Sequence, residues 1–180
     1  MCPGERVTRM GILICGLNGA GKSTLGRALA ARLSYAFIDN EDLYFPGTDA
    51  RYAYAAPRGK DEVVHLLVSE LGERRDFVFA AVKGDYGEKL LSLLDCAVLL
   101  EVPREVRLKR VYRRSYVKFG ARILPGGDLE ERESAWFAQV ERRPEDTVRK
   151  WLETVGCPVI RADGTRPVEE NVEYLASVLA

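Results

Sequence analysis

The residues best equipped for chemistry lie in Gly16-Leu17-Asn18-Gly19-Ala20-Gly21-Lys22-Ser23, which satisfies G-x-x-x-x-G-K-[ST] at every fixed position. That combination suits a polyphosphate. Glycines 16, 19 and 21 let the backbone turn closely, so that the main chain at Gly16 and at Asn18, Gly19, Ala20, Gly21, Lys22, Ser23 and Thr24 can face the phosphates. The positive end of a following helix adds to their pull. Lys22 is placed to reach the β- and γ-phosphates as a point charge, and the Ser23 hydroxyl to ligate Mg²⁺, an ion that keeps most of its waters. A second group is acidic: Asp39, Glu41 and Asp42 follow a short apolar run. Asp39 can hold a metal-bound water, accept a proton, or simply cap a helix. Asp85, beside Gly84 and Lys83, is a further candidate proton acceptor or a turn residue. Arg51 and Arg58 are candidates for gripping a carboxylate or phosphate of an acceptor, since arginine binds both in a bidentate manner.

These groups need a frame. Gly11–Cys15 reads as a buried parallel strand, and Leu25, Leu29 and Leu33 recur at helical spacing. Strands are expected at 35–39, 77–82 and 96–102. Helices are expected at 60–71 with Gly72 as the stop, around Trp136 to Val140, and around Val148 to Val155 between Pro144 and Gly156. A last helix places Val168, Val172, Leu175 and Leu179 inward, residues 1–9 are a loose lead-in, and both tryptophans read as packing. In open α/β sheets the carboxyl ends of the strands face the ligand crevice, so Asp39 and Gly84 belong there. Residues 43–60 lose periodicity and gain Tyr44, Tyr52, Tyr54, Arg51 and Arg58, as an acceptor-binding loop or a solvated surface loop would. Residues 116–130, with Gly120, Pro125, Gly126 and Gly127, read as a mobile loop.

The run from Gly16 to Ala30, followed by Phe37-Ile38-Asp39-Asn40-Glu41-Asp42, resembles the start of a shikimate kinase or gluconate kinase. More broadly it resembles the nucleoside monophosphate kinase-like branch of P-loop kinases. The resemblance implies one three-layer P-loop NTPase domain, with a five-stranded parallel sheet of order 2-3-1-4-5 flanked by helices. It also implies an acceptor-binding segment at about 40–60 and a lid at about 113–130. The F-x-D-x-D pattern of shikimate kinases falls on Phe37 and Asp39, with its second acid on Glu41 in register or on Asp42 one place later. Val102 to Arg114 resembles the adenylate kinase helix that leads into the lid. On that match Arg110 stacks on adenine and Arg114, or Arg113 one place earlier, reaches the transferring phosphates. Gly164, Thr165 and Arg166 resemble the loop that cradles the base. The glycine triplet that ends the third strand in shikimate kinases is not matched; Gly84 takes part of its place.

The implied activity is ATP-dependent transfer of phosphate to a small molecule, with ATP and Mg²⁺ as cofactors and Lys22, Asp39, Arg110 and Arg114 as catalytic residues. The alternatives are a nucleoside or nucleoside monophosphate kinase, in which Tyr52 or Tyr54 stacks on a base, and a nucleotide-binding switch without an acceptor. A GTPase is disfavoured because no N-K-x-D occurs, and an ABC or AAA+ motor by the length of 180 residues. Lysine plus arginine and aspartate plus glutamate each total 27, a balance that argues against nucleic acid as partner. No apolar span of ~18 residues and no leader pattern occurs, which suits a cytoplasmic protein, monomeric or homodimeric, that does not enter a membrane. Cys2, Cys15, Cys96 and Cys157 have no metal spacing, Cys15 and Cys96 read as free buried thiols, and His65 has no assigned role.

Overall fold

The computed structural model describes residues 10–47, 49 and 51–179; the lead-in expected over 1–9, with Cys2, lies outside them. Five strands form one parallel sheet: β1 (Met10–Cys15), β2 (Ala36–Asp39), β3 (Asp76–Ala81), β4 (Cys96–Glu101) and β5 (Val159–Asp163). Their order is β2-β3-β1-β4-β5, as the resemblance implied. Strands covered on both faces must be apolar at every position, which is why β1, β3 and β4 read as unbroken hydrophobic runs.

Alternation along the strands divides the core. Leu13, Cys15, Phe77, Phe79 and Leu99 face one side, where α3 (Lys60–Glu73) contributes Val63, Leu67 and Leu71, and α7 (Thr147–Leu152) contributes Val148 and Leu152. Ile12, Ile14, Val78 and Val98 face the other, against Leu25 and Leu29 of α1 (Lys22–Leu33) and Val172 and Leu175 of α8 (Val168–Leu179). Full burial of each such side chain contributes about 1.5–3 kcal/mol. Cys15 and Cys96 are free and buried as expected; the Cys15 thiol donates to the Val98 carbonyl at 3.4 Å, and burial pushes it up to about 12. Such a thiol is inert. Among the described residues no helix is long and apolar enough to cross a membrane.

The register sets the site. Cys15, the residue before the glycine loop, pairs with Ala81 and Leu99, and Asp39 pairs with Ala80, so the carboxyl ends of four strands lie along one edge. Several boundaries differ from expectation. Gly72 lies inside α3, which continues to Glu73. Two short helices, α2 (Asn40–Tyr44) and α4 (Glu88–Leu91), follow the second and third strands. Helix α5 (Arg104–Phe119) and a 3₁₀ turn (Gly120–Ile123) occupy much of the segment expected as a loop at 116–130. Its tip is tied as well: Arg122 pairs with Asp128 at 2.7 and 2.9 Å, and Gly126 N–H donates to Glu130 at 2.6 Å. Helix α6 (Glu130–Arg142) follows; Pro144 precedes α7 rather than opening it, and α7 ends before Gly156.

Candidate active site

At the first turn of α1, Gly21 has φ 97° and Gly19 φ 81°, conformations that side chains rarely tolerate. Gly19 is also excluded by space, since a Cβ there would sit 2.3 Å from the Arg107 carbonyl oxygen. No side chain caps α1 and no acid lies in its first turn, which leaves its positive end facing the loop. Lys22 donates to the Leu17 carbonyl at 3.2 Å, across the loop it belongs to. Burial pushes its ammonium down to about 8; the Asp39 carboxylate opposes this, while Arg114 and Arg143 add to it. Lys22 therefore senses one carboxylate and two guanidinium groups, each from a different element.

Asp39 fulfils the capping role foreseen for it, because Oδ1 accepts the Glu41 N–H at 3.0 Å and starts α2. That bond also fixes the carboxyl against the strand end. Of the two alternative acids, Glu41 is the one engaged. It accepts from the Tyr54 hydroxyl at 2.7 Å and pairs with Arg114 at 3.4 Å. Asp42 is exposed; partial burial, then the Asp39 charge, raises its pKa. Arg113 is exposed.

Arg110 donates to the Gly164 carbonyl at 3.0 Å and the Ala20 carbonyl at 3.4 Å. With Thr24, Leu100, Gly164, Arg166 and Asn171 it lines a cavity of about 200 Å³ beside the glycine loop. Thr165 shapes this rim: its N–H and hydroxyl both donate to Asp163, at 2.8 and 2.6 Å. Buried Asn171 donates to the Asp163 carbonyl at 2.8 Å, a support not foreseen from sequence.

A larger cavity, about 640 Å³, opens at the ends of β2 and β3, with Asn40, Lys83, Asp85, Tyr86, Arg142 and Arg143 in its wall. Lys83 and Asp85 pair at 2.9 Å, so Asp85 is not a free base there. Neither arginine expected at the acceptor lines it. Arg51 points into solvent, 3.9 Å from Asp49. Arg58 donates to the Leu43 carbonyl at 2.7 Å and pairs with Glu62 at 3.0 Å, which staples the end of α2 to α3. Gly84 is buried, with the side where a Cβ would project filled by Trp151 and Leu13.

Arg143 was not anticipated. Its Nη1 donates to the Asn18 side-chain oxygen at 2.7 Å, burial lowers its pKa, and among the described residues no carboxylate pairs with it. Tyr52 and Tyr54 pack edge to face against each other, near Phe119. The Tyr52 hydroxyl donates at 2.7 Å to Glu133, a fully buried acid of α6 whose Oε2 has no hydrogen-bond partner among the described residues. Among the described residues no three His, Cys, Asp or Glu side chains gather to hold a metal. The oxygen donors at the loop, the Ser23 hydroxyl in the first turn of α1 and the Asp39 carboxylate at the end of β2, are of the kind Mg²⁺ takes when phosphates and water complete its shell.

Residues 12–134 match the family described as AAA domain (AAA_18). The chain belongs to that family. It is 27% identical over 177 residues to the Bacillus subtilis (strain 168) protein named "Uncharacterized protein YqaC", covering 94% of this chain and 97% of that one. It is 29% identical over 115 residues to shikimate kinase 1 of Hamiltonella defensa subsp. Acyrthosiphon pisum (strain 5AT), covering 59% of this chain and 66% of that one. A crystal structure of a gluconokinase from Sinorhizobium meliloti 1021 superposes with a TM-score of 0.53 at 20% identity, covering 96% of each chain. The fold is that of the P-loop small-molecule kinases.

Proposed function

We propose that this chain transfers the γ-phosphoryl group of ATP to a hydroxyl group of a small-molecule acceptor. The observation that carries the reading is the convergence at the glycine loop: Lys22 lies across it, Asp39 ends β2, Arg114 of α5 pairs with Glu41 at 3.4 Å, and Arg143 donates to Asn18 at 2.7 Å. A phosphoryl-transfer centre needs that composition, with cations for the charge spread over the moving group and one carboxylate for the incoming hydroxyl. The cavity of about 640 Å³ beside it gives an acceptor room, which a switch protein would not require.

Arg110 and the rim at Gly164 and Arg166 hold the base. The main-chain groups of 16–24 hold the phosphates. Asp39, fixed by the Glu41 N–H, orients the acceptor hydroxyl and takes its proton as the new bond forms. Glu41 keeps Arg114 at the crevice until the triphosphate offers it a stronger partner. Ser23 and Asp39 are the residues to hold Mg²⁺, whose contribution is to neutralise phosphate oxygens. Catalysis of this kind is placement and charge stabilisation.

An assay of ADP release against a panel of hydroxylated acids, sugars and nucleosides tests the proposal. Release stimulated by one acceptor class is expected, and Lys22→Ala should lower it at least about a hundredfold with the circular dichroism spectrum retained. Slow hydrolysis that no acceptor changes, or full turnover by the variant, would overturn it.

A further inference from the structure

Arg107 is a charged side chain where the fold leaves almost no water, 3% exposed on the inner face of α5. A guanidinium in such a place is destabilising unless its donors are satisfied. Here they are met from three directions. Nη2 donates to both oxygens of Glu145 at 2.6 and 2.7 Å, Nε to the Val102 carbonyl at 3.2 Å, and Nη1 to the Asn18 carbonyl at 3.2 Å. The last bond ends on the glycine loop. The backbone of Gly19 rests on the carbonyl of the same arginine, so closely that no side chain fits between.

We propose that Arg107 and Glu145 are positioning residues for phosphate binding, an inference that rests on the nucleotide reading above. Neither faces the phosphates; their effect passes through the peptide between Asn18 and Gly19. A charge-assisted bond to its carbonyl polarises that peptide and makes the Gly19 N–H a stronger donor toward an anion inside the loop. Glu145, in the link between α6 and α7, anchors the guanidinium through Nη2, which donates to both of its oxygens and leaves Nη1 aimed at the Asn18 carbonyl. The link after the lid thereby reaches the loop that holds the phosphates. Arg104 also pairs with Glu145, at 3.3 Å, but has no bond to the loop.

The sign of one measurement separates positioning from simple charge. Glu145→Gln removes the nearest anion from behind the loop, so a purely Coulombic role predicts tighter anion binding. Positioning predicts weaker binding, because the guanidinium loses its anchor and its bond to the Asn18 carbonyl slackens. Titration calorimetry with inorganic pyrophosphate, which can occupy only the loop, and with adenosine, which can occupy only the rim, reads both arms. We expect Glu145→Gln to lower pyrophosphate affinity at least about fivefold and to leave adenosine affinity unchanged, with Arg107→Lys behaving alike and Arg104→Ala as wild type. Pyrophosphate affinity that is unchanged or higher, or an equal loss for adenosine, overturns the proposal. Arg107→Lys is the variant at risk of misfolding; Glu145 is half-exposed, and its variant decides the matter alone. Wild-type protein that fails to bind pyrophosphate at all removes the nucleotide reading as well, an outcome distinct from the others.

Discussion

Lys22 should take up a proton when the triphosphate arrives, and the amount follows from its surroundings. Burial holds its ammonium at about 8, against an ordinary value of 10.5, a difference worth roughly 3 kcal/mol. A lysine held low in the folded state binds fewer protons than the unfolded chain between those two values. Its penalty is fully present below pH 8 and is relieved as pH rises toward 10.5. Polyphosphate supplies the missing countercharge and restores the ammonium. At pH 8.5 about three-quarters of the free protein has Lys22 neutral, so binding of ATP should draw up to about three-quarters of a proton from buffer. At pH 6.5 the uptake at Lys22 should fall nearly to zero. ATP is itself fully ionised at the higher pH and adds little of its own. Calorimetric titrations at pH 8.5 in Tris and in a buffer of low ionisation enthalpy measure the uptake as the slope of observed heat. Lys22→Met should abolish it. A heat independent of buffer, or the same uptake in the variant, would refute the burial argument and the contact between Lys22 and phosphate together.

Two further perturbations bear on stability alone. Ser34 ends α1 with φ 60°, a left-handed conformation that disfavours a Cβ, so Ser34→Gly should stabilise the protein by about 1 kcal/mol in a urea melt; no change or a loss would count against that strain. Tyr52→Phe removes the hydrogen bond to the buried Glu133 carboxylate and should destabilise by about 1–3 kcal/mol, whereas adding Glu133→Leu should recover most of the loss by deleting the buried charge. Additive losses in that double-mutant cycle would show that the carboxylate is satisfied in some other way.

Much of this molecule is written locally. The glycine loop, the helix after it and the apolar strands were legible because a phosphate loop is a contiguous stretch of backbone, and because a strand covered on both faces must be apolar throughout. Asp39 was legible for the same reason, as the last residue of a strand in a sheet whose ends face the crevice. Of its two readings the structure shows the cap, with Oδ1 accepting the Glu41 N–H; the reactive carboxylate belongs to the function proposed above.

What the sequence did not determine is the company each charge keeps. Arg51 and Arg58 were expected at an acceptor and Arg143 was not, yet Arg51 lies in solvent, Arg58 staples two helices, and Arg143 meets Asn18 across 125 positions of chain. Arg107 sits in a basic run resembling the helix that leads into a lid, and nothing in that run marks it as the arginine buried against Glu145 and the Asn18 carbonyl. Glu133 and Tyr52 stand 81 positions apart. Side-chain charge on a helix has the same local pattern whether it faces water, a partner or a ligand. Only tertiary packing removes the water, and with the water gone a guanidinium or carboxylate must take whichever partner the fold brings within hydrogen-bonding distance.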